Sequence, residues 1–147
     1  MNQDQMDPKK PDILFVCYGN VCRSPMAEGL AKFLIGSNGR IESAGLAPML
    51  NGAAPEAIAT LRQMYDIDIS HHAPKSISDI QLDLFEYVIV LDVYVFEALK
   101  KLYPSFAEKL TLWDIEDPFG QGMSAFQKTA EKIERMIKNN LVPLYSA

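Results

Sequence analysis

Apolar residues fall into two kinds of run along this chain. Ile13 to Cys17 (ILFVC) and Tyr87 to Leu91 (YVIVL) are continuous, short and β-favouring, the pattern of strands covered on both faces. Elsewhere the apolar positions recur at helical spacing. Met26, Leu30, Phe33 and Leu34 predict one helix, opened by Ser24 as N-cap with Pro25 at the first helical position. Ala57, Leu61 and Met64 predict a second within Pro55 to Tyr65, and Val95, Leu99 and Leu102 a third within Val93 to Leu102. Phe126, Ala130, Ile133 and Ile137 predict a last helix over about Ser124 to Asn139, closed by Asn139, Asn140 and Pro143. Shorter strands are expected at Arg40 to Ala44 and Lys109 to Trp113.

Strands alternating with helices imply parallel pairing through right-handed crossovers. The expected fold is a single doubly wound α/β domain, with a four-stranded parallel sheet in the order 2-1-3-4 and helices on both faces. Ligands of such sheets bind beyond the carboxyl ends of the strands. Three segments share that rim: the loop after Cys17, the residues around Asp92 and those around Asp117.

Composition narrows the picture. At 147 residues and 48% apolar content, the chain suits one domain that builds its core without disulfides or structural metal. Fourteen basic residues against nineteen acidic give a net charge of −5, and no basic stripe follows a nucleic-acid backbone. Residues 1–11 are polar and lack the apolar centre of a secretory signal, so they are expected to be a flexible tail. No apolar run is long enough to span a bilayer, and a cytoplasmic location is expected. Neither repeats nor low-complexity segments interrupt the chain. The adjacent His71 and His72 have no cluster of carboxylates or thiols at ligand spacing, so no metal and no cofactor is expected.

The candidate chemistry lies in CYGNVCRSP, Cys17 to Pro25. Gly19 permits a tight loop, and the N–H groups of loop and helix start make a cradle for an anion, favoured further by the helix dipole. Phosphate, sulfate or vanadate would fit. A thiol at the strand end of that cradle, beside Arg23, is expected to ionise readily and act as a nucleophile. Arg23 offers a planar fork to two oxygens of a transferring phosphoryl group. A proton donor is also needed. Asp117, in EDPFG on the active rim and stiffened by Pro118, is the candidate, with Glu116 its rival. Cys22 reads either as a small buried filler or as a second thiol able to capture an oxidised Cys17.

These residues, with SAG at Ser43 to Gly45, Asp92 after the third strand and the late Asp117-Pro118-Phe119, resemble the low-molecular-weight protein tyrosine phosphatase family from Asp12 almost to the end. The resemblance implies a domain over 12–147 that hydrolyses phosphotyrosine and aryl phosphates through a cysteinyl phosphate. In it Cys17 is the nucleophile, Arg23 the phosphate clamp and Asp117 the general acid and base. Tyr18, Gly19, Asn20, Val21, Cys22 and Ser24 complete the phosphate loop, Asn20 and Ser24 fixing it and bonding the thiolate. His72 ties to the loop serine and Asp92 to Arg23, which leaves Asp92 free to cap the following helix as well. Tyr18, Val21, Met49 or Leu50, and Phe119 line a slot deep enough for a phenyl ring and too deep for phosphoserine.

Within this likeness Val21 favours phosphotyrosine, because the related phosphoarginine phosphatases carry Thr there. Gly120 stands where many relatives have a second aromatic residue, and Met49 and Leu50 replace an aromatic wall. The expected partner is a phosphotyrosine protein, a bacterial tyrosine kinase among the candidates. Two rivals remain: a thiol-type arsenate reductase, disfavoured because no cysteine follows Cys22, and a phosphocarrier or phosphate-binding module, which would not need Arg23 together with Asp117.

Overall fold

The computed structural model describes residues 11–36, 39–49 and 51–145. Four strands, β1 (Ile13–Cys17), β2 (Ile41–Gly45), β3 (Tyr87–Val90) and β4 (Leu110–Leu112), form one parallel sheet in the order β2-β1-β3-β4. The helices are α1 (Arg23–Ile35), α2 (Pro55–Tyr65), α3 (Val93–Leu102), α4 (Met123–Asn140) and the short α5 (Val142–Tyr145), and brief 3-10 turns precede β3 and β4. This is the expected topology.

Why β1 lies at the centre follows from its composition. Its five residues are all buried, and strand geometry sends alternate side chains to opposite faces. Ile13, Phe15 and Cys17 meet the layer of α1, α2 and α4, through Met26, Leu30, Leu61, Phe126, Ile133 and Ile137. Leu14 and Val16 meet the other layer, where Val95 and Leu99 of α3 pack with Ile77, Leu82 and Phe85. Helices therefore cover both faces, and none among the described residues is long and apolar enough to cross a membrane.

The structure corrects several details. Phe33 is 62% exposed and faces a cavity of about 570 Å³ shared with Asp66 and Ile67, while Ala27 and Ala31 complete the buried stripe of α1. Met64 lies at the edge of α2, whose inward line is Ala57, Thr60 and Leu61. Leu102, the last residue of α3, is 61% exposed although the helical period puts it only about 20° from Val95. Pro143 does not stop the chain's helical course but sits at the second position of α5, where a proline costs no hydrogen bond. Most of the expected tail, residues 1–10, lies outside the described residues.

Helix α1 begins two residues earlier than expected. Arg23 is its first residue, Cys22 occupies the N-cap position without a capping side chain, and Ser24 is buried inside the first turn. The Ser24 hydroxyl is engaged elsewhere, as described next.

Candidate functional site

β1 delivers Cys17, 2% exposed, to the rim of the sheet, and the loop from Tyr18 to Cys22 carries the chain into α1. The carbonyls of this loop are bound on its outside. Leu46 N–H donates to Cys17 O (3.1 Å), Ala47 N–H to Tyr18 O (2.8 Å), His72 Nε2 to Asn20 O (2.8 Å) and Ala54 N–H to Val21 O (2.8 Å), while Met26 N–H takes Cys22 O as the first bond of α1 (3.2 Å). In a planar trans peptide the N–H points opposite to the C=O. The N–H groups of Tyr18, Gly19, Val21, Cys22 and Arg23 are thereby turned toward the inner side of the loop, around the bowl that Cys17 occupies.

Asn20 is the keystone. It holds a left-handed backbone (φ 57°), a conformation asparagine adopts more readily than most residues. The sharp turn thus belongs to Asn20 and not to Gly19, whose lack of a side chain serves close approach: a Cβ there would lie 3.3 Å from Met49 Sδ. Asn20 N–H donates to Cys17 Sγ at 3.3 Å, and Nδ2 donates to Ser24 Oγ (2.8 Å) and Ser43 Oγ (3.0 Å). Its Oδ1 accepts from Lys75 N–H at 3.0 Å. The Ser43 hydroxyl in turn donates to Glu28 Oε1 at 2.6 Å. With Asn20 filling a lone pair of Ser24, the Ser24 proton is free to donate to Sγ, 2.9 Å away. Two donors are therefore directed at the sulfur.

His72 meets the loop at the Asn20 carbonyl, not at Ser24. A carbonyl only accepts, so the proton of that bond resides on Nε2. The Ser24 hydroxyl is engaged by Asn20 Nδ2 and Cys17 Sγ instead.

Gly45, the last residue of β2, pairs in register with Cys17. A Cβ at this position would come within 2.9 Å of both Asn20 N and Tyr18 O. Backbone atoms cannot swing aside, so Gly45→Ala should displace the loop. The expected result is a loss of about 1–3 kcal/mol in denaturant unfolding, together with weakened phosphate binding; a variant with wild-type stability and phosphate affinity would contradict this packing.

Arg23 is 4% exposed and held from behind. Its Nη1 contacts Ile115 O (3.0 Å), Leu91 O (3.3 Å) and Asp92 Oδ2 (2.9 Å), so Nε and Nη2 remain for a guest in the bowl. Asp92 also caps α3 by accepting Val95 N–H at 3.0 Å. The same carboxylate thus sets the arginine and the start of the helix beside it.

Asp117 Oδ2 lies 3.8 Å from Arg23 Nη2, and its Oδ1 accepts from Phe119 N–H at 3.1 Å. At 55% side-chain exposure the ion pair contributes little stability, but the Phe119 bond orients the carboxyl group. Glu116 makes no such contact with Arg23 among the described residues.

The walls differ from expectation. Val21 is 6% exposed and packs in the core cluster with Ala53 and Ala54 instead of lining the entrance. Met49 lies over Gly19, and Phe119 stands exposed beside Asp117. Leu50 lies outside the described residues. Tyr18 pairs with Tyr94, ring centroids 6.2 Å apart, a partner sequence reasoning missed although it sits two positions after Asp92. Glu28, Ser43 and the Ile115 carbonyl were missed likewise; of these only Ser43 had a signal, in SAG.

Burial pushes the Cys22 thiol up to about 12, with the negative charges of Asp117 and Cys17 adding to the effect and Arg23 opposing it. Near neutral pH it is a thiol, and thiols attack oxidised sulfur slowly. Among the described residues no group of three or more His, Cys, Asp or Glu could hold a metal ion.

An arsenate reductase of Staphylococcus xylosus is 35% identical over 130 residues, 88% of this chain and 95% of its own. The crystal structure of a low molecular weight protein tyrosine phosphatase from T. tengcongensis superposes with a TM-score of 0.80 at 35% identity, covering 87% of this chain and 95% of that one. Vibrio vulnificus Wzb, solved in complex with benzylphosphonate, gives a TM-score of 0.80 at 26% identity over 88% of this chain and 95% of its own. A model of the low molecular weight phosphotyrosine protein phosphatases matches residues 12–145, and the chain belongs to that family.

Proposed function

We propose that this chain hydrolyses phosphotyrosine in proteins, and small aryl phosphates, through a phosphoryl group carried on Cys17. The reading rests above all on one observation: a loop whose carbonyls are bound outward surrounds a cysteine sulfur that two donors address and Arg23 overlooks. Such a bowl holds a phosphoryl group by its equatorial oxygens, with the sulfur beneath phosphorus.

In the first step the Cys17 thiolate forms the S–P bond as the P–O bond to the phenol breaks, and Asp117 gives its proton to the leaving oxygen. In the second, Asp117 takes a proton from water while that oxygen attacks phosphorus, the S–P bond breaks and inorganic phosphate departs. Ser24 and Asn20 N–H stabilise the sulfur as it is released. No step calls for a metal or a cofactor. Asp117 is preferred to Glu116 because only Asp117 is oriented toward Arg23. A cytoplasmic phosphotyrosine protein, such as a bacterial tyrosine kinase, is the natural substrate.

Asp117→Asn tests the acid. Turnover of phenyl phosphate should fall about 10²–10³-fold, and that of p-nitrophenyl phosphate, whose leaving group needs less protonation, should fall less in the bond-breaking step. Equal rates for variant and wild type would remove Asp117 from the chemistry; no turnover by either would favour a phosphate-binding module.

Likeness to an arsenate reductase supports a second reading. Arsenate would seat in the same bowl and accept the Cys17 thiolate, but its reduction to arsenite takes two electrons from thiols. The chain has two cysteines, both in the loop, and Cys22 is held protonated, so an external thiol would have to complete the cycle. Arsenate-dependent thiol oxidation faster than aryl phosphate hydrolysis would favour this reading.

A further inference from the structure

Ten large apolar side chains among the described residues are exposed, and five of them, Tyr18, Met49, Val93, Tyr94 and Phe119, belong to the segments that follow the strands at the phosphate bowl. Exposed apolar surface gathered at one rim marks a place where another molecule is received. Tyr94 stands out within it. It is 68% exposed and takes no part in the proposed chemistry, yet its position is tightly defined. Asp92, two residues earlier, holds Arg23 Nη1 at 2.9 Å and Val95 N–H at 3.0 Å, so the first turn of α3 is tied directly to the clamp. On the other side the Tyr94 ring meets that of Tyr18, the residue next to Cys17, at 6.2 Å and a 52° tilt. The pair bridges loop and helix while leaving much of both rings open to solvent, with Tyr18 40% exposed.

We propose that Tyr94, braced by Tyr18, is a specificity-determining residue: the two rings form a shelf that takes a large apolar or aromatic side chain adjacent to phosphotyrosine in the protein substrate. The inference rests on the phosphotyrosine reading above. When the phosphate reaches Cys17 at the bottom of the bowl, the phenyl ring spans its depth and the substrate backbone lies along the rim. Consecutive Cα atoms are about 3.8 Å apart, so the neighbouring side chains land beside the mouth. Aromatic and aliphatic groups gain both buried area and ring contact there. Because the shelf touches substrate away from the reacting atoms, it binds ground state and transition state alike, and its contribution appears in KM more than in kcat.

The test compares short phosphotyrosine peptides with glycine on both sides, with phenylalanine before phosphotyrosine, and with phenylalanine after it. Wild type should cleave at least one phenylalanine peptide with about tenfold higher kcat/KM than the glycine peptide, mainly through lower KM. In Tyr94→Ala that ratio should fall to within about twofold of unity, and in Tyr94→Phe it should return. A wild-type ratio near one, or a ratio that persists in Tyr94→Ala, overturns the shelf while leaving the phosphatase reading intact. Failure of wild type on all three peptides overturns both.

Discussion

Replacing Cys17 by serine should abolish turnover of aryl phosphate, by about 10⁴-fold or more, while leaving the fold in place. The expectation comes from what the substitution keeps. Oxygen is smaller than sulfur, the site is buried in β1's last position, and the donors from Ser24 and Asn20 can still reach a hydroxyl, so melting should shift little. The loop amides and Arg23 are untouched, so phosphate and vanadate should still bind. Only the nucleophile is lost, because a serine hydroxyl stays protonated near neutral pH and attacks phosphorus far more weakly than a thiolate. Activity within tenfold of wild type would mean that sulfur does not attack phosphorus. Loss of phosphate binding along with activity would mean that Cys17 shapes the bowl and does not act within it.

Arg23→Lys should cost about 10³-fold in kcat, again with little change in fold. The buried guanidinium does two tasks at once: Nη1 is spent on Ile115 O, Leu91 O and Asp92, and the remaining N–H groups face the bowl. A lysine ammonium can satisfy Asp92 or address the phosphoryl oxygens, not both in a planar fork. Arg23→Ala goes further, leaving two carbonyls and a largely buried carboxylate without their cation. It should lose about 2–3 kcal/mol, which lowers Tm by roughly 5–10 °C. Retention of full activity by the lysine variant would show that a point charge suffices and that the fork geometry is incidental.

Much of this was legible in the sequence because the dominant signals are local. ILFVC has the pattern of a strand buried on both faces, and such a strand followed by a tight loop and a helix implies parallel pairing and a rim where Cys17, Arg23 and Asp117 gather. What escaped depends on distances between segments far apart in the chain. The outward partners of the loop carbonyls come from 46–54 and 72, and nothing in the spacing of His72 says that it meets Asn20 and not Ser24. Ser24 followed by proline is an ordinary helix start, and only the three-dimensional position of Asn20 and Cys17 turns its hydroxyl inward. The exposed Phe33 and Leu102 show the limit of periodicity, which reports a face but not how far the neighbouring layer extends. Tyr94 was invisible for the same reason: its partner is in another element, 76 positions away.

The most direct test of the account is to quench the enzyme during turnover of a phosphotyrosine peptide labelled on phosphate, and to map the label. The account predicts one phosphoryl group on the fragment containing Cys17, formed as fast as tyrosine is released and absent from Cys17→Ser. Turnover with no label on that fragment, or with label elsewhere, would contradict it.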